Sequence, residues 1–580
     1  MTADTASGPA LFPRAAWDAA EQAVAALGPE ADILGRADPG DLGSSLVKTL
    51  ARSARHPAEV AGALLAFTSA MARLSPAAAA RAIGNNAGSP LPEDPKDRRF
   101  ADPAWTGNAA FFALRQVYLA AGKLSTDLLA AGAGDPNADA KARLVMGLLV
   151  DALAPTNFFL TNPAALVRAA QTGGRSAASG LQNFVSDVLS NGGRPRQVDT
   201  SGFEVGHNLA ATAGKVVYRN ELMELIQYTP QTERVHAVPL LASPPWINKY
   251  YVMDLAPDRS FIEWAIRHER TVFAISYRNP DGAMRDVSLD DYLIHGPRSA
   301  LDVITEITGS ERVDIVGLCL GGAMTAMTAA HLVETGEQRI GTITLLNTLL
   351  DYSSPGVLGT FTDERMVARL EHKMAKTGYL DGAEMATTFD ILRPNDLIFN
   401  YVVSNWLLGE SPPAFDILAW NSDSTRMPAA MHAFYLRSLY GRNELARGEL
   451  TLAGTRLNLA DVTADTYVVG AINDHIVPWT SSYQATQLLG GAVRYVLSSG
   501  GHIAGIVNPP NPKAWYETAD GCPPDAGEWR DAASRHDGSW WEDWAAWGAQ
   551  RAGALVDPPP MGSAAHPALT EAPGSYVNDR

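Results

Sequence analysis

Residues 312–336 read RVDIVGLCLGGAMTAMTAAHLVETG. Val313, Ile315 and Val316 open an apolar, β-branched run that predicts a buried strand, and the Ala-, Met- and Leu-rich stretch after Leu320 predicts a helix. Between them Gly317, Leu318, Cys319, Leu320 and Gly321 form a glycine-flanked turn with cysteine at its centre. A sharp strand-to-helix turn exposes that central side chain, and glycines two residues to either side let strand and helix approach. The helix N-terminus favours negative charge there and offers backbone N–H groups to an oxyanion. The pattern is a nucleophile elbow with cysteine in the usual serine position. Ile315 to Val333 is also the nearest approach to a membrane span, but three glycines break it and it carries Thr325, Thr328 and His331, so a strand followed by a helix is the better reading.

Working outward, short β-branched or apolar runs recur at 235–241, 271–277, 312–318, 343–348, 466–471 and 493–499, separated by helical segments such as SFIEWAIRHE. Alternation of this kind predicts an α/β fold with a mostly parallel sheet covered on both faces. The 117 positions between Thr348 and Thr466 are too many for one crossover, so residues 349–465 are expected to form an inserted, mainly helical cap. Residues 201–580 make up this catalytic domain, with an extended Pro/Ala-rich tail over 556–580. Residues 96–200 keep helical periodicity and read as a helical domain. Residues 1–95 are rich in Ala, Gly and Pro, partly helical, with the first forty loosely ordered.

The 580 residues carry 46 Lys+Arg against 63 Asp+Glu, a formal charge of −17, which disfavours non-specific binding to nucleic acid or anionic lipid. Cys319 and Cys522 are the only cysteines, too few for a disulfide framework. The start lacks a basic region followed by an apolar run, so a cytosolic protein with no transmembrane segment is expected. Neither a P-loop, an HExxH motif nor clustered Cys/His spacing occurs; no metal and no cofactor are implied.

A cysteine elbow needs a base and an orienting acid, which in this layout follow in chain order from loops after later strands. The loop after 466–471 supplies Asp474 and His475; the loop after 493–499 supplies His502. The expected order is Cys319, Asp474, His502. His475 competes as base, although adjacent side chains at a strand end point apart. The oxyanion donors are expected to be the backbone N–H of Leu320 and, from the loop after 235–241, that of Ile247. Short charge clusters at Asp94–Lys96 and Arg98–Arg99 read as solvated faces.

Cysteine in place of serine bears on the substrate. A free thiol with a pKa near ~8.5 needs help from the helix N-terminus and His502 to form thiolate. Capturing an acyl group from another thioester is then nearly energy-neutral, and the acyl-cysteine stays activated for a later alcohol.

With these residues in hand, the chain resembles the single-subunit polyhydroxyalkanoate synthases. The resemblance runs from about residue 97 to 547, with more at 572–577. It rests on DRRFADPAW (97–105), NFFLTNPAAL (157–166), PPWINKYY (244–251), SYRNPD (276–281), GLCLGG (317–322), LRPNDLIFNYVV (392–403), DHIVPW (474–479), GGHIAGIVNPP (500–510) and GSWW (538–541). It implies an α/β-hydrolase core with a mobile cap, joined to an N-terminal domain linked to dimerisation and granule association. The implied activity is polymerisation of (R)-3-hydroxyacyl-CoA into polyester with release of CoA. Cys319 would be the nucleophile, His502 the general base, and Asp474 the acid that orients His502 or helps activate the incoming 3-hydroxyl. The implied partners are the CoA thioester, the growing polyester chain, the granule surface with its associated proteins, and a second copy in a homodimer. Ala504 resembles the short-chain members and favours 3-hydroxybutyrate-like units, whereas NPPNPKAWY is closer to the medium-chain pattern. Trp246 is bulkier than the residue expected in PPxINK and is expected to narrow the site mouth. Rival readings are a thioesterase or depolymerase on the same fold and a non-catalytic granule-associated binding protein.

Overall fold

A computed structural model describes residues 39–85 and 88–580. The expectation of loose order in the first forty residues falls on 1–38, outside the described residues. The chain divides into two compact units: the described residues up to Asp199 together with Thr387–Pro413, and Thr200–Ala386 together with Ala414–Arg580.

The first unit is helical. Helices α1 (Pro39–Ser53), α2 (Pro57–Ala82), α3 (Ala109–Ala131) and α4 (Pro136–Ala152) pack as pairs, α1 on α4 and α2 on α3. Asn108 caps α3 by accepting from the N–H groups of Ala110 and Phe111, and Asp135 caps α4 ahead of Pro136. Position 95 is therefore no boundary, because helices from both sides of it share one core. The buried carboxylate of Asp139 ties α4 to α1: it accepts from Thr49 Oγ1 at 3.2 Å and pairs with Arg52. Among the described residues, the helix that is long and apolar enough to cross a membrane, by length and composition only, is α2 and not the stretch after Ile315. It lays Leu74 and Ala77 against Phe112, whose ring carries the Arg81 guanidinium 3.4 Å from its centroid.

Helix α5 (Arg175–Ser190) completes this unit with residues 387–413. The expected cap over 349–465 is thus not one body. Trp406 Nε1 donates to the buried Asp187 at 2.9 Å, Asn183 Nδ2 donates to Asn405 O at 3.0 Å, and a Cβ on Gly180 would lie 2.0 Å from Trp406 O. Arg99, expected on a solvated face, donates instead to Asp151 and Asn395, each at 3.1 Å.

The second unit carries an eleven-stranded sheet. Its strands are β1 (Gly214–Arg219), β2 (Met223–Tyr228), β3 (Leu240–Ser243), β4 (Val272–Tyr277), β5 (Val313–Leu318), β6 (Ile340–Leu346), β7 (Asp465–Ala471), β8 (Val493–Ser498), β9 (Trp515–Thr518), β10 (Ser534–Asp537) and β11 (Thr570–Glu571). In space they run β10-β9-β8-β7-β6-β5-β3-β4-β2-β1-β11. The six from β8 to β4 are parallel, and antiparallel strands extend both edges. The central strands β4 and β5 are buried along their whole length, as parallel strands covered on both faces must be.

Three sequence expectations change here. The run 235–241 is not one strand, because Pro239 has no N–H to continue a ladder. Val235–His236 pairs with Leu555–Val556, and the sheet strand begins at Leu240. Five strands escaped the pattern: β1, β2, β9, β10 and β11 lie toward the two ends of the sheet, and charged residues interrupt their short runs. The 556–580 tail is not merely extended: β11 joins the sheet edge, and the buried Glu224 accepts from the N–H groups of Ser575 and Tyr576.

Strand order reverses at β3, which has β4 on one side and β5 on the other. In open α/β sheets the crevice beyond the carboxyl ends at such a reversal is where ligands bind. The loops after β3 and β5 both leave from that point.

Candidate active site

Cys319 follows β5 and precedes helix α6 (Leu320–Glu334). Its backbone is held at φ 52°, ψ −114°, a conformation a non-glycine residue takes only when its surroundings impose it. They do so here from three sides. Cys319 N donates to Leu346 O at 2.8 Å, Thr348 Oγ1 donates to Cys319 O at 3.3 Å, and the N–H groups of Gly322 and Ala323 close onto the same carbonyl. A Cβ on Gly317 would meet Gly322 Cα at 2.5 Å; one on Gly321 would meet Ser243 O at 2.1 Å. Both glycines are therefore required by close backbone approach, and the second brings the end of β3 against the helix start. The N–H of Leu320, first in the helix, has no acceptor among the described residues.

The loops after β7 and β8 place Asp474 and His502 together. His502 Nδ1 faces Asp474 Oδ2 at 2.6 Å, while Asp474 Oδ1 accepts from the N–H groups of Ile476 and Val477 at 2.8 and 2.9 Å. The carboxylate is thus fully engaged and its side chain wholly enclosed. Burial by itself lowers the His502 pKa, but the Asp474 carboxylate and the Cys319 sulfur, by charge and by hydrogen bonding, raise it to about 10. The three side chains named from sequence meet at one point, and the ring that lies against Asp474 is that of His502.

A fourth residue, absent from the sequence reading, supports this arrangement. Asn347, at the end of β6, is buried at φ 43° and donates from Nδ2 to the His502 carbonyl at 2.5 Å, while its own N–H donates to Val469 O at 2.8 Å. The only signal in the sequence is an amide closing the apolar run ITLL.

Three tyrosines enclose the sulfur, also unforeseen. Tyr352 and Tyr435 are buried and Tyr440 is partly buried, and desolvation together with the nearby Cys319 charge holds their phenols above the ordinary value. Tyr440 stacks edgewise on Tyr352 and Tyr435 with centroids 4.9 and 5.4 Å apart.

The loop after β3 carries Trp246 and Ile247. Trp246 does not sit at a mouth: it is 2% exposed, with its ring against Tyr292 and Tyr435, and its Nε1 has no partner among the described residues. The Ile247 N–H has no acceptor among the described residues. Ala504 is exposed on the turn that carries His502, so its methyl forms no buried wall. Cys522 is partly buried 3.5 Å from Val493 O, and burial pushes its thiol up. Among the described residues no group of three His, Cys, Asp or Glu is arranged to hold a metal ion.

Comparison with known proteins agrees with this fold. Residues 96–265 match the family model described as poly-beta-hydroxybutyrate polymerase (PhaC) N-terminus, and residues 240–509 match the alpha/beta hydrolase fold. The chain is 42% identical over 495 residues to poly(3-hydroxyalkanoate) polymerase 1 of Ectopseudomonas oleovorans, covering 85% of this chain and 88% of that one. It is also 42% identical to the poly(3-hydroxyalkanoate) polymerase of Methylorubrum extorquens, over 83% of this chain and 81% of that one. The poly(3-hydroxyalkanoate) polymerase subunit PhaC of Cupriavidus necator gives the same identity over 83% of each chain. An α/β-hydrolase core with a cysteine elbow, and this identity over most of the length, lead to one conclusion: the chain belongs to the poly(3-hydroxyalkanoate) polymerase family and is an acyl-transferring synthase.

Proposed function

We propose that the protein polymerises (R)-3-hydroxyacyl-CoA into polyester with release of CoA, through an acyl chain held on Cys319. The observation that carries this reading is the meeting of Cys319, His502 and Asp474 at the elbow. The sulfur attacks the thioester carbonyl carbon, the carbonyl oxygen becomes an oxyanion facing the N–H groups of Leu320 and Ile247, and the bond to the CoA sulfur breaks. The proton on His502 goes to the departing CoA thiolate. A 3-hydroxyl then gives its proton to the neutral His502 and attacks the acyl-cysteine, so an ester forms and the Cys319 thiolate leaves. Asp474 fixes the imidazole tautomer and stabilises its charged form in both halves. The aromatic wall of the buried Trp246, Tyr352 and Tyr435 and the partly buried Tyr440 favours exclusion of water and short 3-hydroxyacyl units.

The same reading puts the protein in the cytoplasm at the surface of a polyester granule, as a homodimer. In support, α5 exposes Leu181, Val185, Val188 and Leu189 at helical spacing, and the one charge within that stretch, Asp187, is buried. Phe158 and Leu160 are exposed in the same unit.

The test mixes purified protein with (R)-3-hydroxybutyryl-CoA and assays free thiol, polyester and free acid from one tube. Thiol with polymer is expected, and Cys319→Ala should lose both. Thiol with free acid alone would make the protein a thioesterase; no thiol release from short or longer thioesters would favour a binding protein.

A further inference from the structure

The loop that carries Ile247 is gripped by one short segment from the second half of the inserted region. Trp420 Nε1 donates to Lys249 O at 2.7 Å, and Tyr251 Oη donates to Asp423 Oδ2 at 3.0 Å. Two residues beyond Asp423 lies Thr425, which is buried and whose hydroxyl engages both sides of Ile247. It accepts from the Asn248 N–H at 2.7 Å and donates to the Trp246 carbonyl at 3.2 Å. A hydroxyl has one proton and two lone pairs, so one side chain can do both. Asn248 itself sits at φ 61°, a left-handed turn that the first of these bonds holds in place.

The geometry of the peptide unit gives this clamp a consequence. Trp246 C=O and Ile247 N–H belong to one planar trans peptide and point in opposite directions. Fixing the carbonyl on Thr425 aims the N–H away from Thr425, and that N–H has no acceptor of its own among the described residues. A few residues earlier, the backbone of Ser243 and Pro244 lies directly against Gly321 at the elbow.

We propose that Thr425 is a positioning residue that holds the Trp246–Ile247 peptide so that the Ile247 N–H faces the oxyanion formed at Cys319. Rotation of that peptide would turn a carbonyl dipole where a donor is needed and leave the Thr425 hydroxyl without its acceptor. One donor of the oxyanion site is thus set by a residue about 180 positions away in sequence, in the inserted region. This assignment rests on the acyl-transfer reading given above.

The test compares two reactions of the same sulfur in full-length wild-type protein, Thr425→Val and Thr425→Ser. Alkylation of Cys319 by iodoacetamide forms no oxyanion, whereas release of CoA from (R)-3-hydroxybutyryl-CoA passes through one. Thr425→Val is expected to alkylate at the wild-type rate and to lose about tenfold to a hundredfold in kcat for CoA release, with KM little changed. Thr425→Ser, which keeps the hydroxyl, should recover to within about twofold. Undiminished CoA release by Thr425→Val overturns the assignment, as does a parallel loss of alkylation. Should Thr425→Val not fold, Thr425→Ala repeats the comparison with the same criteria. Wild-type protein that alkylates readily but releases no CoA would overturn the acyl-transfer reading, and this assignment with it.

Discussion

Asn347 donates its side-chain amide to the backbone carbonyl of His502 across 2.5 Å, joining the end of β6 to the loop that carries the imidazole. The bond is buried, and the loop is otherwise a run of turns between Gly500 and Val507. Asn347→Ala leaves a buried carbonyl without its donor, a cost of about 1–3 kcal/mol. We expect global stability to fall by that amount in urea and kcat for CoA release to fall about tenfold, because the imidazole is no longer fixed.

Asp474→Asn keeps the shape of the side chain and removes its charge. The amide can present its N–H to His502 Nδ1 and select the wrong tautomer, so turnover should drop by about 10³- to 10⁴-fold. The pH profile of Cys319 alkylation is the second measurement. With the carboxylate gone, the charged imidazole loses its main support, and the rise in alkylation rate should move to higher pH.

Stability should depend on pH with a definite sign. The His502 pKa is raised from 6.5 to about 10 in the folded chain, so folding binds its proton more tightly than the unfolded state does. That contribution is complete below about pH 6.5 and is lost as pH rises through 10. Urea midpoints measured at pH 6.5 and pH 10 should fall more for the wild type than for His502→Gln, and equal falls would show that the pair contributes nothing.

Gly321→Ala and Gly62→Ala should have opposite signs. At Gly321 a Cβ would stand 2.1 Å from Ser243 O, a backbone atom of the neighbouring strand, so a loss of about 3 kcal/mol and of activity is expected. At Gly62, on the exposed side of α2, nothing lies within 4 Å, and alanine should raise stability by about 0.5–1 kcal/mol. Thermal and denaturant unfolding of the two variants decide this.

Trp246→Ala removes the largest side chain from the wall beside Tyr435 and opens room near the sulfur. The cavity should cost about 3–5 kcal/mol. Relative kcat/KM for 3-hydroxyhexanoyl-CoA over 3-hydroxybutyryl-CoA should rise about tenfold; an unchanged ratio would show that the indole does not bound the acyl chain.

Sequence alone was enough for the elbow, the alternating sheet, and the chain order of Cys319, Asp474 and His502. Each depends on local facts: which residues tolerate a sharp strand-to-helix turn, which runs are apolar, and which loops follow which strands. The same locality explains what escaped. Strands toward the two ends of the sheet, such as β1 and β9, mix charged with apolar residues and carry no clean period. The split of 349–465 depends on Trp406 and Asn405 meeting α5 more than 200 positions away. Asn347 and Thr425 look like ordinary polar residues until the fold sets one under His502 and the other across the Trp246–Ile247 peptide. Ala504 and Trp246 illustrate the converse: exposure and burial are properties of the packed chain, and packing put Ala504 on the outside of a turn and Trp246 in the interior beside Tyr435, not at a mouth. The sequence by itself determined which groups could do the chemistry; the tertiary structure decided which backbone and side-chain donors hold them, because those bonds join segments that only packing brings within 3 Å.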